Sequence, residues 1–208
     1  MKKKDIKKEL KHKIIAVIRV FDYDLAKAIC RTIIEEGINV LEITFTVDRA
    51  ADLISQLKTE YPDALIGAGT VLNKEQAKSA LENHADFIVS PCIITEVADF
   101  CNNADIFFSM GAATPTEALT AHNLGCGLVK LFPGETLSPS LIKAIKAPLP
   151  FIDIMPTGGV DDQTIVSWFE NGAYAVGVGG YLTKNIAVSN LDDLKNRCRR
   201  LLHANTAK

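Results

Sequence analysis

The chain has 208 residues, 48% of them hydrophobic, with 23 basic and 25 acidic side chains and a formal net charge of −2. That length suits one domain with a substantial core, and the near-neutral balance gives no electrostatic footprint for nucleic acid or an anionic membrane surface. The five cysteines are scattered, with no C-x-x-C pair and no histidine at ligand spacing, and no apolar run is long enough to span a membrane; both point to free thiols and a cytoplasmic protein.

The first 13 residues are lysine-rich, with Ile6 and Leu10 four apart, and predict a short amphipathic helix docked on the domain. From there apolar runs alternate with capped helical segments at intervals of about 20 to 27 residues, the size of a β/α unit. Eight runs are predicted as strands: 14–19, 39–44, 65–68, 86–90, 105–109, 127–131, 151–155 and 174–178. Most are apolar without alternation, as parallel strands covered on both faces are. Between them, 24–36 places Ala26, Ile29, Cys30, Ile33 and Ile34 on one face and stops at Gly37, and 48–60 repeats the pattern with Ala50, Leu53, Ile54 and Leu57. Asn73-Lys74-Glu75-Gln76 and Thr114-Pro115-Thr116-Glu117 read as capping boxes, Ser138-Pro139 and Asp161 open two further helices, and a last helix runs over 189–203.

No composition shift divides the chain, so residues 1–208 are expected to form a single (β/α)₈ TIM barrel of the α/β class. A doubly wound open sheet is the alternative, but Val20-Phe21-Asp22 stands after the first strand where a G-x-G-x-x-G would be needed.

In such barrels function sits where strands end at the C-terminal face. Lys130, between Val129 and Leu131, carries an amine whose charge is costly to desolvate; burial favours the free, nucleophilic form. The bland alternative is a lysine snorkelling from a strand end. Glu42, inside Val40-Leu41-Glu42-Ile43-Thr44, is either a salt-bridge partner of Arg19 or Lys130 or a general acid/base sharing the barrel mouth with Lys130. Gly158-Gly159 and Gly179-Gly180 follow the last two strands, where glycine lets backbone N–H groups approach a phosphate, though glycines are also plain turn residues. His12, His84, His122 and His203 avoid strand exits, which argues against a metal enzyme, and Cys92 and Cys126 are expected to pack in the core.

Val40-Leu41-Glu42-Ile43-Thr44, Gly67-Ala68-Gly69-Thr70-Val71, Ser90-Pro91, Val129-Lys130-Leu131-Phe132-Pro133 and Pro156-Thr157-Gly158-Gly159-Val160 occur in that order. Through them the chain, from about position 14 to 182, resembles the class I 2-keto-3-deoxy-6-phosphogluconate (KDPG) aldolases, also called 4-hydroxy-2-oxoglutarate (KHG) aldolases. The resemblance implies a metal-independent aldolase without cofactor, in which Lys130 forms a Schiff base with the keto acid and Glu42 is the general acid/base. It also implies that Thr70 holds the pyruvate carboxylate, that Pro91, Phe132, Thr44 and Thr157 line the pocket, that Gly158, Gly159, Gly179 and Gly180 receive a phosphate, and that the molecule is a homotrimer. Two positions depart from the pattern. Thr46 stands where some members carry a carboxylate-binding arginine, a role Arg19 can take over, and Gly180 replaces a common phosphate-binding serine, a hydrogen bond worth about 1.5–3 kcal/mol if nothing replaces it. The rival readings are an aldolase for the galactonate epimer or the unphosphorylated acid, a phosphate-binding barrel epimerase, and a non-catalytic sugar-phosphate-binding barrel.

Overall fold

The computed structural model describes residues 3–206. Eight parallel strands alternate with helices: β1 (Ile14–Ile18), β2 (Val40–Thr44), β3 (Leu65–Gly69), β4 (Phe87–Ser90), β5 (Phe107–Ala112), β6 (Leu128–Leu131), β7 (Ile154–Pro156) and β8 (Val176–Val178). The helices are α1 (Lys3–Glu9), α2 (Tyr23–Glu35), α3 (Ala50–Glu60), α4 (Lys74–Glu82), α5 (Thr95–Asn103), α6 (Pro115–Asn123), α7 (Ser140–Lys146), α8 (Ile165–Glu170), α9 (Gly180–Thr183) and α10 (Leu191–Thr206). Strands pair in the order β7-β6-β5-β4-β3-β2-β1-β8. A single bridge between Thr157 and Gly177, with the Tyr174 amide donating to the Ile154 carbonyl at 2.8 Å, brings β7 and β8 together and closes the TIM barrel.

Following the pairing from Val17 once around the barrel returns to β1 at the level of position 9, a slip of eight residues, the shear of a (β/α)₈ barrel. Inward side chains from alternate strands therefore share levels. From the floor upward the levels hold Val40, Phe87, Leu128 and Ala175; then Ile15, Gly67, Ser109 and Met155; then Glu42, Val89, Lys130 and Gly177; then Val17, Gly69, Gly111 and Thr157.

The two lower levels join Ile6 and Leu10 in one apolar cluster, so α1 plugs the N-terminal end of the barrel. Burying each of those two side chains is worth about 1.5–3 kcal/mol. The plug is tied down by Tyr174, whose hydroxyl donates to the Lys7 carbonyl at 2.9 Å, and by Lys7 Nζ paired with Asp153 at 2.8 Å. The outward strand residues and the helices form the second, larger core, in which the expected faces of α2 and α3 are buried.

Several boundaries differ from expectation. The Thr114–Glu117 capping box is present, whereas at Asn73 the side chain caps Gln76 N but Gln76 Oε1 returns to Leu72 N instead. α3 starts at Ala50 because Arg49 is left-handed at φ 50°. Asp161 opens a turn rather than the helix: its Oδ1 accepts from Gln163 N and Thr164 N, and α8 starts at Ile165. β7 lies at Ile154–Pro156, not over 151–155; Phe151 is exposed and stacks on His122 with ring centroids 5.0 Å apart. The N-terminal helix ends at Glu9, short of position 13, and the start of that expected helix lies outside the described residues. The C-terminal helix, expected over 189–203, is Leu191–Thr206.

Candidate active site

Lys130 on β6 and Glu42 on β2 belong to one level of the barrel, reached from opposite walls, and Lys130 Nζ lies 3.2 Å from Glu42 Oε1. Their side chains are 1% and 0% exposed. An ion pair taken that far out of water costs more in desolvation than its attraction returns unless further hydrogen bonds are made. Here the second carboxylate oxygen, Glu42 Oε2, is buried with no hydrogen-bond partner among the described residues. Such an arrangement is poor as a structural brace and suited to a pair that meets a ligand. The snorkelling alternative for Lys130 is excluded by its burial.

Glycines accommodate the groups packed around the pair. A Cβ at Gly69 would stand 2.3 Å from Glu42 Oε1, and one at Gly111 would stand 1.8 Å from the Pro91 carbonyl oxygen. Of the four inward positions on the level above Lys130, two therefore carry no side chain, and a third is Thr157, whose hydroxyl is also buried and unpartnered. On the Lys130 level itself, Gly177 is a glycine because Thr157 Oγ1 would lie 2.4 Å from its Cβ. Phe132 completes the surround, its ring centroid 5.4 Å from Lys130 Nζ, within cation–π range.

Thr70, at the exit of β3, is a β-branched residue in the left-handed region at φ 54°, and its hydroxyl is buried without a partner. Strain of this kind costs about 1–3 kcal/mol and persists where surroundings enforce it. They do so here: Val71 N donates to Val89 O at 3.2 Å, Ser90 Oγ donates to Val71 O at 2.7 Å, and Phe45 N donates to Gly69 O at 2.8 Å. Ser90 of the Ser-Pro motif thus clamps the turn that presents Thr70. Thr44 is placed differently. Its hydroxyl donates to the Ile18 carbonyl at 2.8 Å or shares a proton with Thr46 Oγ1 at 2.6 Å, tying the ends of β1 and β2 together. Pro91, at the exit of β4, is half-buried with its carbonyl against Gly111.

Bordered by Phe132 and Thr157 on the side of Lys130 lies a cavity of about 400 Å³, lined also by Val17, Arg19, Glu135, Gly158, Gly179, Gly180, Thr183 and Lys184. Gly158 is left-handed at φ 97°, and a Cβ there would stand within 1.8 Å of Glu135 Oε2, so only glycine fits. Gly159 packs against the Glu135 backbone instead of lining the cavity. At Gly180 a Cβ would meet nothing within 4 Å; a serine there has room. Among the described residues neither the Arg19 nor the Lys184 side chain has a hydrogen-bond or ion-pair partner, so two cations face one carboxylate across a glycine-walled space. Lys184 was not legible in the sequence, because it sits in a polar loop after a four-residue helix, but its backbone is fixed: Arg197 Nη1 donates to the Lys184 and Tyr181 carbonyls, both at 2.9 Å.

The cysteines divide. Burial pushes the thiols of Cys101, Cys126 and Cys198 up to about 12 and that of Cys30 higher still. Cys92, expected in the core, is exposed, because the chain after Pro91 leaves β4 for the rim.

The family model described as "KDPG and KHG aldolase" matches residues 6–197. The chain belongs to the KDPG and KHG aldolase family. It is 36% identical over 149 residues, 71% of this chain and 70% of its relative, to the 2-dehydro-3-deoxy-phosphogluconate aldolase of Haemophilus influenzae. It is 34% identical over 171 residues, 81% of this chain and 83% of its relative, to the 2-dehydro-3-deoxy-6-phosphogalactonate aldolase of Escherichia coli K12. Among solved structures, the KDPG aldolase of Legionella pneumophila, with pyruvate captured as a covalent carbinolamine, superposes with a TM-score of 0.82 at 25% identity, covering 92% of this chain and 94% of that one. This aldolase-family barrel therefore has relatives named for two substrate epimers.

Proposed function

We propose that the protein is a class I, metal-independent aldolase that cleaves KDPG to pyruvate and D-glyceraldehyde 3-phosphate. The observation that carries this reading is the solvent-shielded Lys130–Glu42 pair at 3.2 Å inside the barrel. In the proposed cycle Lys130 Nζ, as the free amine, adds to the C2 keto carbon. Glu42 moves protons as the carbinolamine loses water to give an iminium. The iminium takes up the electron pair of the C3–C4 bond while the C4 hydroxyl gives up its proton to the Glu42 carboxylate, releasing the aldehyde and leaving an enamine. Glu42 returns that proton to C3, and addition of water to the resulting iminium releases pyruvate and the free lysine. Thr70 and Thr157, with unpartnered hydroxyls at the rim, are assigned to the keto acid end. Arg19, expected at the substrate carboxylate, lines the same cavity as Lys184, Gly158, Gly179 and Gly180 and is assigned with them to the phosphate, with Phe132 as an apolar wall there and Pro91 beside the Lys130 pair.

The relative named for the galactonate epimer supports a second reading, in which the 4-hydroxyl of opposite configuration is the preferred one. Activity on unphosphorylated 4-hydroxy-2-oxoglutarate, giving pyruvate and glyoxylate, fits the same Lys130 chemistry. The same proposal includes a cytoplasmic homotrimer, with Phe21, a large apolar side chain 80% exposed just beyond β1, as a candidate contact between copies. Pyruvate release from the two phosphorylated epimers and from 4-hydroxy-2-oxoglutarate separates these readings. We expect the highest kcat/KM with KDPG; higher kcat/KM with the unphosphorylated acid contradicts the phosphate assignment.

A further inference from the structure

Ser109 lies on the axis-facing side of β5, between Phe107 and Gly111, 2% exposed, and its hydroxyl has no hydrogen-bond partner among the described residues. The register places it one level below Glu42 and Lys130, with Ile15, Gly67 and Met155. That level offers the hydroxyl only hydrocarbon, a thioether and a glycine. The nearest level with polar side chains is the one above, where Glu42 Oε2 is likewise buried and unpartnered. Polar atoms buried this deeply are nearly always satisfied, by protein or by ordered water, and two orphans on adjacent levels of one barrel axis can be satisfied by one bridging water.

We propose that Ser109 is a positioning residue for the acid/base step: its hydroxyl, through one water, holds Glu42 Oε2 and so keeps Oε1 directed at Lys130 and the keto acid bound above. Ser109 itself never reaches substrate. Glu42 is otherwise braced only by Lys130, the sole titratable side chain that any strand presents on its own level, on the level of Val17, Gly69, Gly111 and Thr157 above, or on that of Ile15, Gly67 and Met155 below. During turnover Lys130 becomes the imine nitrogen and its contact with Oε1 is remade. A fixed anchor on the other oxygen keeps the carboxylate aligned through that change. The inference rests on the aldolase reading above.

The test separates proton transfer from imine formation. Pyruvate is incubated with the full-length protein in D₂O, and loss of its C3 hydrogens is followed by NMR. The pyruvyl adduct on Lys130 is trapped with borohydride in parallel. In Ser109→Ala we expect the adduct to reach the same final extent at similar KM, though more slowly because Glu42 also serves carbinolamine dehydration, while C3 exchange and kcat fall about tenfold, with exchange largely restored in Ser109→Thr. Unchanged exchange in Ser109→Ala, or equal loss in the Thr variant, overturns the assignment of Ser109 and leaves the aldolase reading standing. Absence of an adduct in the wild type overturns the aldolase reading itself, and the assignment with it.

Discussion

The lower and upper halves of this barrel are built by the same eight strands, two or three residues apart, and obey opposite rules. Below, Val40, Phe87, Leu128 and Ala175 fill the axis, and Ile6 and Leu10 seal it from the N-terminal side. Above, Gly69, Gly111 and Gly177 give way to the Glu42 carboxylate, the Pro91 carbonyl and Thr157, and the barrel holds an ion pair and the unpartnered hydroxyls of Thr70 and Thr157. The lower half supplies stability to a rigid frame; the upper half keeps polar groups buried at a cost in stability so that they can act on a ligand. The difference teaches that one change of side chain along a strand moves a position from one rule to the other.

Substitutions can break this contrast. Lys130→Met is expected to cut aldolase turnover by about 10³-fold or more and to destabilise the fold, because it leaves Glu42 buried without its cation. Pairing it with Glu42→Leu should leave activity absent yet raise stability above that of the single variant, and above wild type by about 1–4 kcal/mol, read by urea melts. In the lower half Leu10→Ala should behave inversely, losing about 2–5 kcal/mol of stability while kcat stays within about twofold.

At the boundary Gly111→Ala should do both, since its Cβ would enter the Pro91 carbonyl. We expect a loss of about 1–3 kcal/mol together with a fall in kcat, measured by thermal melts and steady-state assays. The smallest effect is predicted for Gly180→Ser, where the cavity has room for the hydroxyl; KM for the phosphorylated substrate should fall about threefold to tenfold with kcat unchanged.

Much of the frame was legible because parallel strands covered on both faces are apolar throughout, so runs such as Asp105-Ile106-Phe107-Phe108 stand out even though the ends of β5 and β7 do not. β7 was misplaced because Phe151 extends an apolar run while lying in an exposed turn against His122. Lys130 and Glu42 were conspicuous as charges inside apolar strands, but they are 88 positions apart, and only the barrel register explains why they meet. Ser109 and Lys184 had no local signal, since a serine in a strand and a lysine in a loop are ordinary until the register and the cavity show what they face. Thr44 shows the converse: a strand-end threonine whose hydroxyl turns out to join two strands.

The central claim is that Lys130 is the imine-forming amine, and the most direct measurement is borohydride reduction in the presence of pyruvate followed by peptide mass mapping. The account predicts one pyruvyl adduct per chain, on the peptide containing Lys130, and none in Lys130→Met. An unmodified Lys130, or an adduct on another lysine, contradicts it.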